Sequence, residues 1–123
     1  MHLQHSPLAA ASPLINFDDF LRVDIRIGTI LKAEGFPEAK KPAYILTIDF
    51  GDGVGIKRSS TQITEAYSID GLPGKQVAAV VNFPPRQVGK VLSEVLTLGF
   101  ANEKGHVILF SPDTAVPNGS RLF

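Results

Sequence analysis

Hydrophobic and polar residues alternate from Val23 onward: Val23, Ile25 and Ile27 are separated by Asp24 and Arg26, and the series continues through Thr29-Ile30-Leu31. Successive side chains of a strand point to opposite faces, so this period of two predicts a β-strand. Gly28 within it predicts a bulge or a point of close approach. Ala43 to Phe50 reads as a second strand, closed by a Gly51-Asp52-Gly53 turn, and Gly55 to Ser60 as a third. Lys75 to Asn82, Val91 to Phe100 and His106 to Phe110 supply three more. Helix is sparse. Asn16 is placed to cap a short helix, with Asp18 and Asp19 in its first turn and Phe17, Phe20 and Leu21 as its buried side. Ile63 to Tyr67 has room for only a short helix. Five or six short strands between Gly and Pro turns predict an all-β fold, a small closed or nearly closed barrel.

The sharpest break in the pattern ends the fourth strand. The apolar run Val77 to Val81 stops at Asn82-Phe83-Pro84-Pro85-Arg86. Proline has no backbone N–H, so two in a row cannot continue a central ladder. An aromatic ring, a stiff diproline and an arginine are left at a strand end, which is the composition of a binding surface. The plainer alternative is that Phe83 packs in the barrel core and the prolines only make a turn.

Residues 1–15 contain Pro7, Pro13 and an Ala-Ala-Ala run and no Lys, Arg, Asp or Glu. A secretory signal has a basic start and an unbroken apolar region of about 7–15 residues, and neither is present. A flexible extension is expected here, with the folded domain over residues 16–123. His2 and His5 have the chemistry of metal ligands, but a histidine pair in a flexible segment does not make a site.

At 123 residues the chain suits one domain with its own core. No window approaches the roughly 18 consecutive apolar residues of a membrane span, so no membrane insertion is expected. The chain has no cysteine, which excludes disulfides, thiolate metal sites and a cysteine nucleophile. Twelve basic and twelve acidic residues give zero formal net charge, so the basic field common among nucleic-acid binders is absent. The charges are unevenly spread, however. Gly53 to Thr64 holds Lys57 and Arg58 without an acid, and Gly71 to Ser93 holds Lys75, Arg86 and Lys90 without an acid. Side by side, these two segments would make one basic face.

Catalytic and cofactor motifs fail when tested. Gly51-Asp52-Gly53-Val54-Gly55 lacks the third glycine and the following helix of a dinucleotide fingerprint, and no P-loop pattern occurs. There is no Gly-x-Ser-x-Gly elbow. His106 has no carboxylates at ligand spacing in the sequence, so no metal and no cofactor is implied. Ser59-Ser60-Thr61-Gln62 is a hydroxyl cluster without a nearby base and reads as strand-end or helix-capping hydrogen bonds.

Several blocks together resemble the CsaA family. They are Asp18 and Phe20 through Asp24-Ile25-Arg26-Ile27-Gly28, then Ile48-Asp49-Phe50-Gly51, Ser59 to Thr64, and Asn82 to Gln87. Ser111-Pro112 and Val116 to Arg121 are similar too, so the likeness runs from Phe17 to Phe123. CsaA proteins are bacterial, ATP-independent and chaperone-like, and are linked to protein export. They belong to the wider tRNA-binding-domain family, whose oligonucleotide-binding (OB-fold) barrel is also appended to several aminoacyl-tRNA synthetases. The resemblance implies an OB-fold barrel and a cytoplasmic homodimer. It also shows departures. The Ser-x-Gly-Met block typical of the tRNA-binding relatives reads Ser93-Glu94-Val95-Leu96 here, and their asparagine-leucine-lysine strand end reads Asn82-Phe83-Pro84.

Two functions remain open at this point. A chaperone-like protein would use Asn82, Phe83, Pro84, Pro85 and Val95 as an apolar groove for unfolded or export-bound polypeptides, with Arg86, Lys57 and Arg58 at its rim. A tRNA or single-stranded RNA binder would use Lys57, Arg58, Arg86, Lys90 and Ser93 on phosphates and Asn82 on a base or sugar. The departures favour the polypeptide. Leu122 and Phe123 are an apolar pair after a Pro-Asn-Gly turn and are expected to dock on the barrel or across a dimer contact.

Overall fold

The computed structural model describes residues 4–123. A short helix α1 (Phe17–Leu21) precedes nine strands: β1 (Ile25–Gly35), β2 (Tyr44–Asp49), β3 (Ile56–Thr61), β4 (Gln76–Val80), β5 (Arg86–Val88), β6 (Val91–Ser93), β7 (Leu96–Thr97), β8 (Gly99–Ala101) and β9 (Val107–Leu109). Five of them form an antiparallel sheet in the order β3-β2-β1-β4-β7, while β5–β6 and β8–β9 are separate hairpins. The sheet curls around Ile30, Leu46, Ile48, Phe50, Ile63, Leu72 and Val77, all essentially inaccessible to solvent. A smaller cluster of Phe36, Ala43, Ile45 and Val91 fixes the β5–β6 hairpin against the loop between β1 and β2.

Curling brings the edge strand β3 against the segment Ser93–Val95, and the seam is closed largely by side chains. The Ser60 N–H donates to Ser93 Oγ at 3.0 Å and the Arg58 N–H to Glu94 Oε1 at 3.0 Å. In return the Glu94 N–H donates to the Arg58 carbonyl at 2.8 Å. Behind the seam, Ser59, Thr61 and Thr97 make a buried hydroxyl network. Ser59 Oγ donates to the Val95 carbonyl at 3.2 Å and accepts from Thr97 Oγ1 at 2.8 Å. With its one proton committed, Ser59 must accept from Thr61 at 3.1 Å as well. The hydroxyl cluster of the sequence is thus partly a core device rather than a set of helix caps.

Gly28 is a point of close approach. A Cβ there would lie 2.5 Å from Ile48 Cγ2 and 2.8 Å from the Phe50 ring. The bulge expected at Gly28 instead falls between Ile30 and Lys32. At the amino end, Asn16 takes the N-cap position that the sequence predicts, and its N–H donates to Asp19 Oδ2 at 3.1 Å. The expected buried side of α1 is not buried: Phe17 is 71% exposed and Leu21 is also solvated. A five-residue helix at the barrel margin buries none of its residues fully, and the Phe17 and Phe20 rings lie side by side, 6.1 Å between centroids.

Three other expectations change. Ile63 to Tyr67 is a turn with one helical bond, Tyr67 N–H to Ile63 C=O at 3.3 Å. The chain is drawn away because the Tyr67 carbonyl accepts from the Tyr44 hydroxyl and the Tyr67 hydroxyl accepts from the Leu109 N–H. Val91 to Phe100 is not one strand but three pieces, β6, β7 and β8, as the chain changes partner from β5 to β4 to β9. After the diproline the chain forms β5, a strand absent from the sequence reading. Asp24 ties the ends together, with Arg26 Nε at 2.6 Å and Arg121 Nε at 3.4 Å from its carboxylate.

Gly28→Ala should lower stability by about 1–3 kcal/mol through overpacking against Ile48 and Phe50. Thermal denaturation followed by circular dichroism would read this as a drop of several degrees in Tm, and an unchanged Tm would refute the close-approach role.

Candidate binding groove

The diproline segment positions the site. Asn82 leaves β4 and is pinned at both ends of its amide: Oδ1 accepts the Asp24 N–H at 2.9 Å, and Nδ2 donates to the Arg22 carbonyl at 2.8 Å. These bonds hold the turn into Phe83 against the residues that follow α1. Asn82 is therefore a latch, with its polar atoms directed at backbone rather than outward to a base or sugar. Pro84 and Pro85 then stiffen the chain until Arg86 opens β5. The β5–β6 hairpin turns at Gly89, whose φ of 59° suits the first central position of a two-residue turn.

Phe83, Pro84 and Arg86 line a groove of about 240 Å³ whose other wall is the seam segment Ser93 to Leu96, with Ser60 of β3. Its walls are mostly apolar: Phe83 is half exposed, while Val95 is buried. Phe83 therefore does not pack in the barrel core. The two acid-free segments do meet here, since β3 adjoins β6 through Ser60 and Ser93. The face is less basic than the sequence implies. Glu94, the residue just beyond the second segment, puts its carboxylate 4.0 Å from Lys57 Nζ and caps the Arg58 N–H.

The predicted residues separate into groups. Phe83, Pro84, Arg86, Ser93 and Val95 line one groove, with Asn82 and Pro85 as its frame. Lys57 is turned toward Glu94, and Arg58 is exposed beside it. Ser93 is buried, with its oxygen already accepting from Ser60. Lys90 sits at the hairpin tip, next to Gly89 and its neighbour Phe36, rather than at the groove. Ser60, Glu94 and Leu96 were not singled out from the sequence as groove residues. Outward alternation along β3 is the signal for Ser60, and adjacency to Ser93 and Val95 is the signal for the other two.

Leu122 and Phe123 belong to a second cleft, of about 280 Å³, with Ile25, Ile27, Phe110 and Val116. The Leu122 N–H donates to the Ile25 carbonyl at 2.9 Å, so Leu122 docks on its own β1, whereas Phe123 is fully exposed. His106 lies 3.3 Å from one carboxylate, Glu65, just before β9. His5 is exposed and His2 lies outside the described residues. Among the described residues, no helix is long and apolar enough to cross a membrane.

Comparison with known proteins identifies the family and the fold. Residues 25–121 match the family described as "Putative tRNA binding domain". The chaperone CsaA of Bacillus anthracis is 50% identical, with a TM-score of 0.84 over 90% of this chain and 100% of that one. The CsaA chaperone protein of Picrophilus torridus is 47% identical, with a TM-score of 0.83 over 89% of this chain and 100% of that one. A methionine–tRNA ligase of Flavobacterium johnsoniae is 36% identical over 109 residues, which are 89% of this chain and 15% of the ligase. The chain spans about 15% of the length of the curated ligases it matches. The barrel is a small OB-fold, and the chain belongs to the tRNA-binding-domain family and, within it, to the CsaA group.

Asn82→Ala should cost about 1–2 kcal/mol, because the Asp24 N–H and the Arg22 carbonyl lose their partners. Urea denaturation reads the loss. A stability equal to that of the unaltered chain would contradict the latch.

Proposed function

We propose that this chain is an ATP-independent, chaperone-like protein that binds unfolded or presecretory polypeptides and assists their export. The observation that carries this reading is the groove itself. A half-exposed phenylalanine and a proline face Val95 and Leu96, and a carboxylate stands where a phosphate-binding surface would want only cations. Full burial of one large apolar side chain contributes about 1.5–3 kcal/mol. A few such contacts, less the cost of ordering the client, give the weak, reversible binding that suits a holding function. Phe83, Pro84 and Val95 make the apolar contact, framed by Asn82 and Pro85, with Arg86 at the rim. The resemblance to the CsaA proteins supports a cytoplasmic role in export.

A second reading is tRNA or single-stranded RNA binding, favoured by family membership and by the exposed cations Arg58, Arg86 and Lys90. Lys57 and Ser93 contribute little to it, being engaged with Glu94 and Ser60. The protein works as a homodimer in this proposal, with a second copy covering the cleft around Leu122 and Phe123. Support comes from the exposed ring of Phe123 beside Ile25, Ile27 and Phe110.

Phe83→Ala should abolish most of the suppression of aggregation of a denatured client protein, assayed without nucleotide. Beside it, a tRNA mobility shift separates the readings. If Arg58, Arg86 and Lys90 each neutralise a phosphate, affinity should fall roughly 20- to 40-fold between 50 and 200 mM salt. Such a fall, with client protection unaffected by Phe83→Ala, would favour RNA. Sedimentation equilibrium at micromolar concentration should give twice the 13.2 kDa monomer mass, and a monomer alone would count against the dimer.

A further inference from the structure

The β5–β6 hairpin borders two depressions, one at each end. Its base, at Arg86 and Ser93, lines the Phe83 groove. Its tip meets a second cleft, of about 440 Å³, that the proposed function leaves unused. A Cβ on Gly89 would lie 3.4 Å from Cζ of Phe36, which lines that cleft with Pro37, Pro42 and Ala43. Lys40 lines it too, Lys41 is the next residue of the loop, and Lys90 follows Gly89 at the tip. The three lysines are exposed, and among the described residues none of them is in an ion pair. Glu38 is the one acid of the loop between β1 and β2. Glu34 and Glu65, next in sequence to the lining residues Gly35 and Thr64, face Lys32 at 3.4 Å and His106 at 3.3 Å.

We infer that this cleft is a second subsite for the same client, taking acidic side chains about four or five residues from the apolar residue seated on Phe83. The inference rests on the groove being a polypeptide site and adds a charge preference to it. Connectivity bounds the separation of the two sites from two directions. Ser60 lines the groove and Thr64 the cleft, so at most about 14 Å of chain divides them. Arg86 lines the groove and Gly89 adjoins Phe36, which allows at most about 11 Å. An extended client rises about 3.3 Å per residue, so about four or five residues cover either distance.

Shape and charge favour a polypeptide carboxylate over a nucleic-acid phosphate here. Phe36 is buried in a cluster with Ala43, Ile45 and Val91, so the cleft offers no free aromatic face on which a base could stack. Pro37, Pro42 and Ala43 give an apolar wall along which the methylenes of a glutamate can lie, and Lys40, Lys41 and Lys90 stand ready for its carboxylate. An acidic client loses no existing ion pair by docking, whereas a basic one meets three cations against one acid. An exposed ion pair is worth a factor of about 1.4 to 5 in affinity, so two acids give roughly three- to tenfold. The cleft therefore sorts clients and does not hold them alone.

The test measures binding of fluorescein-labelled peptides to the full chain by anisotropy at about 50 mM salt. Each peptide carries one phenylalanine–leucine anchor. One has two glutamates about four and five residues from the anchor, before it or after it in separate versions, and its counterpart has glutamines there. In at least one of the two orientations the glutamate peptide should bind about three- to tenfold more tightly than its counterpart. At about 1 M salt, where the Debye length is about 3 Å, the difference should close. The Lys40→Gln, Lys41→Gln double variant, which alters no buried residue, should bind the two peptides within about twofold of each other. Phe83→Ala should weaken both. Equal affinity of the unaltered chain for the two peptides, with both sensitive to Phe83→Ala, would overturn the subsite and leave the groove reading standing. Binding of neither peptide, or binding indifferent to Phe83→Ala, would overturn the groove reading and the inference with it. A glutamate preference that survives in the double variant would overturn the inference, and loss of oligouridine binding by that variant would then assign the lysines to RNA.

Discussion

Everything around the groove depends on how β3 meets Ser93–Val95. Here a serine hydroxyl and a glutamate carboxylate take the place of strand carbonyls as acceptors for the Ser60 and Arg58 N–H groups. Because the Ser60 and Arg58 N–H groups both find side-chain acceptors, and one backbone bond, Glu94 N–H to the Arg58 carbonyl, crosses the seam in return, the backbone of β6 and β7 is not paired in continuous register with β3. It is free to bend at Glu94 and to present Val95 and Leu96 at the floor of a cleft. The buried hydroxyls of Ser59, Thr61 and Thr97 secure the same seam from within. A seam of ordinary ladder bonds would give a smoother barrel and no groove.

The same seam decides the electrostatics. Sequence order puts Lys57 and Arg58 in one acid-free stretch and Arg86 and Lys90 in another, and folding does bring β3 to β6. Glu94 lies one residue beyond the second stretch and is inserted into the contact because its carboxylate is needed there as an acceptor. A residue serving the closure of the barrel thus neutralises part of the surface beside it. The hairpin carries Lys90 away toward Phe36, so the basic residues do not gather into a single patch.

Much of the barrel is legible in the chain. Period-two alternation locates β1 and β2, Gly28 marks the place where Ile48 and Phe50 press on β1, and the diproline marks the end of β4. Where the sequence misled, tertiary bonds outweighed local pattern. Apolar spacing around Ile63 suggests a helix, yet Tyr67 is drawn inward by bonds to Tyr44 and Leu109. The continuous run from Val91 to Phe100 hides two changes of partner. The groove was half visible: Phe83, Pro84, Arg86 and Val95 follow from the interrupted strand, whereas the second role of Glu94 depends on a contact 36 residues distant.

The two prolines have a consequence beyond stopping a strand. Strand β5 is an open edge, yet in a hairpin with a two-residue turn the pairs Val88–Val91 and Arg86–Ser93 are the hydrogen-bonded ones. Only Gln87 directs its N–H and C=O away from β6, and the two residues before Arg86 have no N–H to offer. An extended chain lying in the groove therefore finds side chains to rest on but almost no backbone to pair with. The surface holds a sticky strand without becoming a template on which that strand, and others after it, assemble into sheet.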